Sequence, residues 1–286
     1  MLQSLFRLIA RLPLSWLQAA GAALGWITYW MSPAYARRLR ENLFASGVCQ
    51  AHECDRLLRQ AVAETGKGAL ELIAIWFASD MRLRGWLQCD TLQIVEQLRQ
   101  RGKSVIVLTP HLGGFEAGAP CMVQRMPLTV MYRPPKMRWL EPLMIAGRSR
   151  WGTNVAPANM KGVRMLLRAL HRGETVALVP DQVPGVGEGK WADFFGRPAY
   201  TMTLAAKLQQ ATGAALVALG VERLPSGRGY HVRFEELPTE NFDEVALNRA
   251  MESLVRACPS QYLWGYNRYK PPPGAEAPAR HASSQS

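Results

Sequence analysis

The stretch Lys103 to Glu116, KSVIVLTPHLGGFE, delivers an imidazole, two glycines and a carboxylate where an apolar run stops. His111 has the chemistry of a general base and Glu116 that of its partner. On one continuous helix the H-x-x-x-x-E spacing would hold the two roughly 140° apart, at ~100° per residue, so they could not meet there. With His111 on a loop and only Glu116 on a helix, the carboxylate can accept the imidazole N–H and leave the other ring nitrogen free. That arrangement activates a nucleophile, yet the nucleophile is missing, so the attacking hydroxyl could come from a substrate. A second reading stays open, in which His111 caps a strand and Glu116 sits at a helix N-terminus for its dipole. The zinc pattern H-E-x-x-H is absent and no second histidine lies near.

Several elements must position these groups. Val105 to Leu108 is a short β-branched-rich block, of the length of a strand buried on both faces. Pro110 cannot donate to a sheet ladder, so His111 should emerge just past the strand's C-terminal edge, where open α/β sheets place ligands. Gly113 and Gly114 allow a tight turn or a close approach, and Glu116 falls in the first turn of a helix expected to run to about Gln124. The pattern recurs: Thr175 to Val179 reads as a strand followed by Pro180, Asp181 and Gln182, which makes Asp181 a site candidate. Leu128 to Tyr132 reads as a strand opening onto the basic loop Arg133-Pro134-Pro135-Lys136, and the helix after it ends near Gly147-Arg148. The glycine-rich PGVGEGKWADFFG lacks the Lys-Ser/Thr of a phosphate-binding loop and is a weak nucleotide signal.

Helices are expected over Tyr35 to Phe44, Glu53 to Phe77, Thr91 to Arg101, from Lys161 onward, over Thr201 to Thr212 and over Glu244 to Ala257; further strands over Ala215 to Val221 and Tyr230 to Phe234. The alternation makes the chain α/β, with a central, mostly parallel or mixed sheet flanked by helices. No charge occurs from Leu12 to Ala36, and Arg7, Arg11, Arg37, Arg38 and Arg40 flank that run. It reads as an N-terminal membrane-anchor helix over residues 1–32, spanning the bilayer or lying in its interface. Residues 33–270 form the α/β domain, and 271–286 read as a disordered tail. Thirty-four Lys and Arg against 22 Asp and Glu give +12, which points to an anionic partner. No zinc finger, RNA-binding box or continuous basic tract supports nucleic acid. Five cysteines without a C-x-x-C pair indicate neither a disulfide framework nor a zinc site, and favour a reducing compartment.

In order along the chain, ARRLRENLF, HLGGFE, YRPPK, Gly147-Arg148, KGVRMLLRALHRGE, PDQVPGVGEGKWADFFGRPAYTMTLAAKL and YLWGYNRYKPPPG together resemble the bacterial lipid A late acyltransferases, a branch of the lysophospholipid acyltransferase superfamily. The resemblance spans nearly the whole chain. It departs at Gly114-Phe115, where family members often carry Asn-Trp. It implies a glycerolphosphate-acyltransferase-like fold and a catalytic pair at His111 and Glu116. His111 would take a proton from a hydroxyl of a lipid A precursor as that hydroxyl attacks an acyl carrier protein thioester, with no cofactor. Glu116 would orient His111. Backbone N–H groups around Gly113 and Gly114 would bind the oxyanion. Arg148, Arg133, Asp181 and Gln182 would bind substrate, Arg148 by gripping an anionic group with its planar fork. The implied location is the inner membrane, with the catalytic domain on the cytoplasmic side among membrane lipids. Another glycolipid or phospholipid acceptor, or a non-catalytic basic protein of the membrane surface, is the alternative.

Overall fold

The computed structural model describes residues 2–135 and 137–275. The N-terminal half is mostly helical: α1 (Leu2–Ile9), α2 (Leu14–Met31), α3 (Pro33–Phe44), α4 (Ala51–Phe77) and α5 (Asp80–Trp86), which lead to β1 (Leu87–Cys89), α6 (Gln93–Gln100) and β2 (Val105–Leu108). A single 3₁₀ turn, Phe115–Ala117, follows, then α7 (Gly118–Val123), β3 (Leu128–Tyr132), a second 3₁₀ turn at Arg138–Leu140, and α8 (Glu141–Ser149). Next come β4 (Asn154–Pro157), α9 (Met160–His171), β5 (Thr175–Leu178), β6 (Gly189–Phe194), β7 (Arg197–Met202), α10 (Leu204–Thr212), β8 (Ala215–Arg223), β9 (Tyr230–Leu237) and α11 (Glu244–Ala257). Local chemistry sets several ends. Asn159 accepts from the Lys161 and Gly162 amides, and Asp243 from those of Val245 and Ala246, so both helices begin on a side-chain cap.

Among the described residues the main sheet has the order β1-β9-β8-β2-β5-β3-β4, and every pair is parallel except β8 with β9. The expected mixed α/β sheet is therefore present. Strand β2 lies at its centre, with Val105 to Leu108 all fully buried. Val105 and Val107 join one core with Val217, Met122 and Trp76, while Ile106 and Leu108 join the opposite core with Leu166, Leu216 and Leu247. Residues alternate across a strand, so an unbroken apolar run fits only a strand covered on both faces.

The N-terminal reading needs correction. No helix among the described residues is long and apolar enough to cross a membrane. Helix α2 instead packs on α4 backbone to backbone: a Cβ on Gly25 would lie 2.3 Å from the Val62 carbonyl oxygen, and one on Gly66 would lie 2.1 Å from that of Gly21. The small residues that diluted its hydropathy form this contact stripe, with Leu14, Leu17 and Gln18 buried beside it. Arg82 donates to the carbonyls of Ala10 and Leu12 at 2.7 Å each, tying the α1–α2 turn to α5.

Other differences are local. The glycine-rich stretch forms the antiparallel hairpin β6–β7, which takes residues 201 and 202 from the expected helix. The helix expected from Glu116 is a 3₁₀ turn followed by the six residues of α7. Cys49 and Cys54 are joined by a disulfide across the α3–α4 turn, with Cα atoms 5.4 Å apart, a pairing that nothing in their spacing announces. Of the tail, 271–275 form a turn closed by the Ala275 amide on the Pro272 carbonyl, and 276–286 lie outside the described residues.

Candidate active site

The registers of β2 and β5 build the site. Leu108 pairs with Leu178 in parallel, and each strand then runs through one residue and a proline, so His111 and Asp181 leave the sheet side by side. The Asp181 carboxylate accepts the His111 backbone N–H at 2.9 Å through Oδ2 and the imidazole Nδ1–H at 2.7 Å through Oδ1. Asp181 is buried, and the His111 side chain is 23% exposed. Burial alone would raise the Asp181 carboxyl, but the charge and the two hydrogen bonds of His111 bring it below the ordinary carboxylate range. A carboxylate only accepts, so in the neutral ring the proton belongs on Nδ1. Nε2 is left as the acceptor, with the Gln182 amide nitrogen 3.3 Å away.

Glu116 is not the partner of this imidazole. Its carboxylate is gripped by the Arg148 guanidinium through Nε, at 3.0 Å, and Nη2, and it accepts the Trp76 indole N–H at 3.1 Å. Both side chains are largely buried, at 6% exposure for Glu116 and 15% for Arg148. Burial would raise the Glu116 carboxyl, yet the guanidinium beside it holds it below the usual range. The expected His111–Glu116 hydrogen bond is thus replaced by two pairs, His111 with Asp181 and Arg148 with Glu116. The 3₁₀ turn is the reason: Glu116 enters it with its carboxylate on Trp76 of α4 and Arg148 of α8. Arg148 also differs from expectation. Its fork is occupied by Glu116, and only Nη1 makes no hydrogen bond among the described residues.

The turn itself is tightly determined. Gly113 has φ +54°, and a Cβ there would come within 2.0 Å of the Val221 carbonyl oxygen. Its N–H donates to the Gln261 carbonyl at 3.0 Å, so it is not available to an oxyanion, whereas the Gly114 N–H has no acceptor among the described residues. The segment Gln261 to Leu263 runs antiparallel along the turn, with the Leu263 N–H on the His111 carbonyl. Arg133 is exposed and donates to the Val183 carbonyl at 3.4 Å. Lys136 lies outside the described residues. Trp76 went unrecognised in the sequence, and forty residues of separation from Glu116 leave no local signal for it.

A narrow cavity of about 50 Å³ opens beside these groups. Glu116, Arg148 and Thr109 form its polar part; Phe115, Ala119, Met122, Val130, Met131, Ala177, Val179 and Leu219 line the rest. The site therefore combines an imidazole whose Nδ1 faces a carboxylate, a backbone N–H one residue past the turn, and an apolar recess. No hydroxyl or thiol of the described residues hydrogen-bonds to His111 Nε2.

Residues 2–271 match the family described as bacterial lipid A biosynthesis acyltransferase. The chain is 28% identical to the lipid A biosynthesis palmitoleoyltransferase of Escherichia coli over 79% of its length and 76% of that protein's. It is 24% identical to the lipid A biosynthesis lauroyltransferase of the same organism, over 93% and 89%. A lipid A biosynthesis acyltransferase of Haemophilus influenzae is also 24% identical, over 96% and 91%. With nearly the whole chain matched, this protein belongs to the bacterial lipid A biosynthesis acyltransferases.

Proposed function

We propose that the enzyme transfers a fatty acyl chain from an acyl carrier protein thioester to a hydroxyl of a lipid A precursor, with His111 as general base and Asp181 as the group that orients it. The observation that carries this is the oriented imidazole: Nδ1–H on a buried carboxylate, Nε2 at the sheet edge, and no hydroxyl or thiol of the described residues hydrogen-bonded to it. The acceptor hydroxyl displaces the Gln182 amide from Nε2 and loses its proton to it as the oxygen attacks the thioester carbonyl. Asp181 stabilises the imidazolium that forms. The tetrahedral oxyanion takes the Gly114 N–H and, through the remaining Nη1, the charge of Arg148. Collapse expels the carrier thiolate, which leaves with the proton from His111. The thioester's acyl chain enters the apolar recess, where Met122 and Met131, unbranched and adaptable, yield to it. Mass spectrometry of lipid A from cells lacking and then regaining the protein tests the reading: one acyl chain should be lost and restored, and an unchanged lipid A would sink it.

The membrane seat is peripheral in this proposal. Opposite its contact with α4, α2 exposes Trp16, Ile27, Trp30 and Met31 at 48 to 79%, and α1 adds Leu5 and Leu8. Arg7, Arg11, Arg37 and Arg38 flank them, the composition of a surface that lies in a lipid interface on the cytoplasmic side of the inner membrane. The double substitution Trp16→Ser/Trp30→Ser should lower binding to anionic vesicles by about tenfold or more, since burying one large apolar side chain is worth ~1.5–3 kcal/mol. Co-sedimentation measures this, and unchanged binding overturns it. Deleting residues 1–32 is the wrong experiment, because it strips α2 from α4.

Acyl carrier proteins are acidic, and the exposed Arg133 and Arg138 stand on the loop after β3. Arg148 and Arg150 do not extend that patch, being paired with Glu116 and Asp80. Arg133→Glu/Arg138→Glu should raise KM for the carrier-protein thioester about tenfold while changing that for a coenzyme A thioester little. The wild-type preference should weaken as salt shortens the Debye length from ~10 Å at 0.1 M to ~3 Å at 1 M. Parallel loss with both donors would show that the arginines serve only the lipid surface.

A further inference from the structure

Behind the catalytic turn lies a buried ionic cluster that none of the steps above uses. Arg223 ends β8 with its side chain 3% exposed, and Glu71 of α4 is 1% exposed. Arg223 Nε donates to Glu71 Oε2 at 2.7 Å, Nη2 to the other carboxylate oxygen, and Nη1 to Glu64. Tyr230, opposite Arg223 in the β8–β9 ladder, donates its hydroxyl to Glu71 at 3.1 Å, and Lys67 pairs with Glu64. Taking such charges out of water is expensive, and an apolar core of the same volume often serves stability as well, so the cluster calls for a reason beyond stability.

The remaining contact of Arg223 supplies one. Its Nη2 also donates to the Gly113 carbonyl oxygen at 3.2 Å. The Gln261 side-chain amide brackets the Arg223 backbone, accepting from its N–H at 2.7 Å and donating to its carbonyl at 2.9 Å, while the Gln261 carbonyl takes the Gly113 N–H. Both backbone groups of Gly113 therefore end on Arg223 or on the residue that grips it. Register explains the meeting: Leu108, the last residue of β2, pairs with Ala218, and β8 runs on five residues to Arg223 alongside the turn that carries Gly113. The Tyr230 ring closes the other side, 2.3 Å from where a Gly114 Cβ would sit.

We infer that Arg223 is a positioning residue for acyl transfer: anchored to α4 by Glu71 and Glu64, it fixes the Gly113 carbonyl and with it the turn between His111 and Glu116. Helix α4 also gives Trp76 to Glu116, so one helix references both ends of that segment. The inference rests on the assignment of His111 as base. Lysine at 223 keeps the charge but loses the planar fork, and cannot reach two carboxylates and the Gly113 oxygen together.

The test compares full-length Arg223→Lys with Leu166→Ala, a core substitution in α9 on the far side of the sheet, both assayed below their melting transitions with carrier-protein thioester and lipid A precursor. Arg223→Lys should lower kcat by ~10²-fold, the scale of a displaced catalytic geometry, with both KM values within about threefold and the acid limb of the pH–rate profile unmoved. Leu166→Ala should lose stability and keep kcat. A kcat for Arg223→Lys within about threefold of wild type, or a matching loss in Leu166→Ala, overturns the inference. If Arg223→Lys does not fold, Tyr230→Phe decides, since it removes one hydroxyl from Glu71 and no ring volume: a fall in kcat of about threefold is expected, and none overturns it. Turnover surviving in His111→Ala would remove the base assignment instead, whatever Arg223→Lys shows, which keeps the two failures apart.

Discussion

His111→Ala should fold, reach the membrane and turn over ~10²–10⁴-fold more slowly than wild type, the usual loss for a positioned general base. The structure bounds the cost in stability. The imidazole is partly exposed, and after its removal Asp181 keeps the backbone N–H of residue 111 at 2.9 Å and the nearby positive charge of Arg268. A modest drop in melting temperature is therefore expected, and rates must be read on folded protein. The pH dependence separates base from scaffold. Asp181 and Glu116 both lie below their ordinary carboxylate values in the folded state, so the stability from their pairs is fully present above the unfolded values near pH ~4 and is lost only as pH falls through the lower folded ones. Neither of these two pairs therefore weakens between about pH 8 and 5, and a fall in rate over that range is not the protonation of either carboxylate. Near-normal turnover in folded His111→Ala would remove the mechanism.

How much of this site could be read in the residues themselves depends on how far apart in the chain each pair lies. Strand β2, its proline exit and the glycine turn are local features, and an apolar run ended by proline can do little else. The second exit, Pro180-Asp181, was visible as a repeat of the first, but its meaning was not. Only the parallel register of Leu108 with Leu178 places Asp181 beside His111, and register is a property of the sheet. With that pairing hidden, the carboxylate five residues away was the natural partner to choose for His111. The 3₁₀ turn then carries Glu116 toward Trp76 and Arg148, contacts 40 and 32 residues distant. The N-terminal run misled for a related reason. Uncharged helices rich in Gly and Ala serve a membrane or a close helix contact equally well, and the partner that decides, Gly66 on α4, lies more than 40 residues further on.

The two carboxylates should fail in different ways when each is made an amide, and that difference is the sharpest check on which of them serves the imidazole. Asp181→Asn keeps the shape, and its side-chain oxygen can still accept the backbone N–H of His111. Its NH₂ group, though, can face Nδ1 and favour the tautomer with the proton on Nε2, which cannot act as a base. Turnover should drop ~10²–10⁴-fold with little change in melting temperature, as expected when the tautomer is wrong and the geometry intact. Glu116→Gln instead leaves the buried Arg148 guanidinium without its counter-charge. Breaking such a pair costs ~3–5 kcal/mol, or roughly 6–20 °C in Tm at ~2–4 °C per kcal/mol for a chain of this size. Arg148→Lys should destabilise too, because an ammonium cannot reproduce the fork. Replacing both partners with apolar residues of similar volume, as in Glu116→Leu/Arg148→Met, should recover much of the lost stability, since neither charge is then stranded. It should not recover activity, because Nη1 of Arg148 goes with the pair. Thermal melts and steady-state rates on the four variants decide the matter. If Glu116→Gln melts like wild type while Asp181→Asn turns over normally, the imidazole in solution is served by Glu116, and the pairing drawn here is reversed.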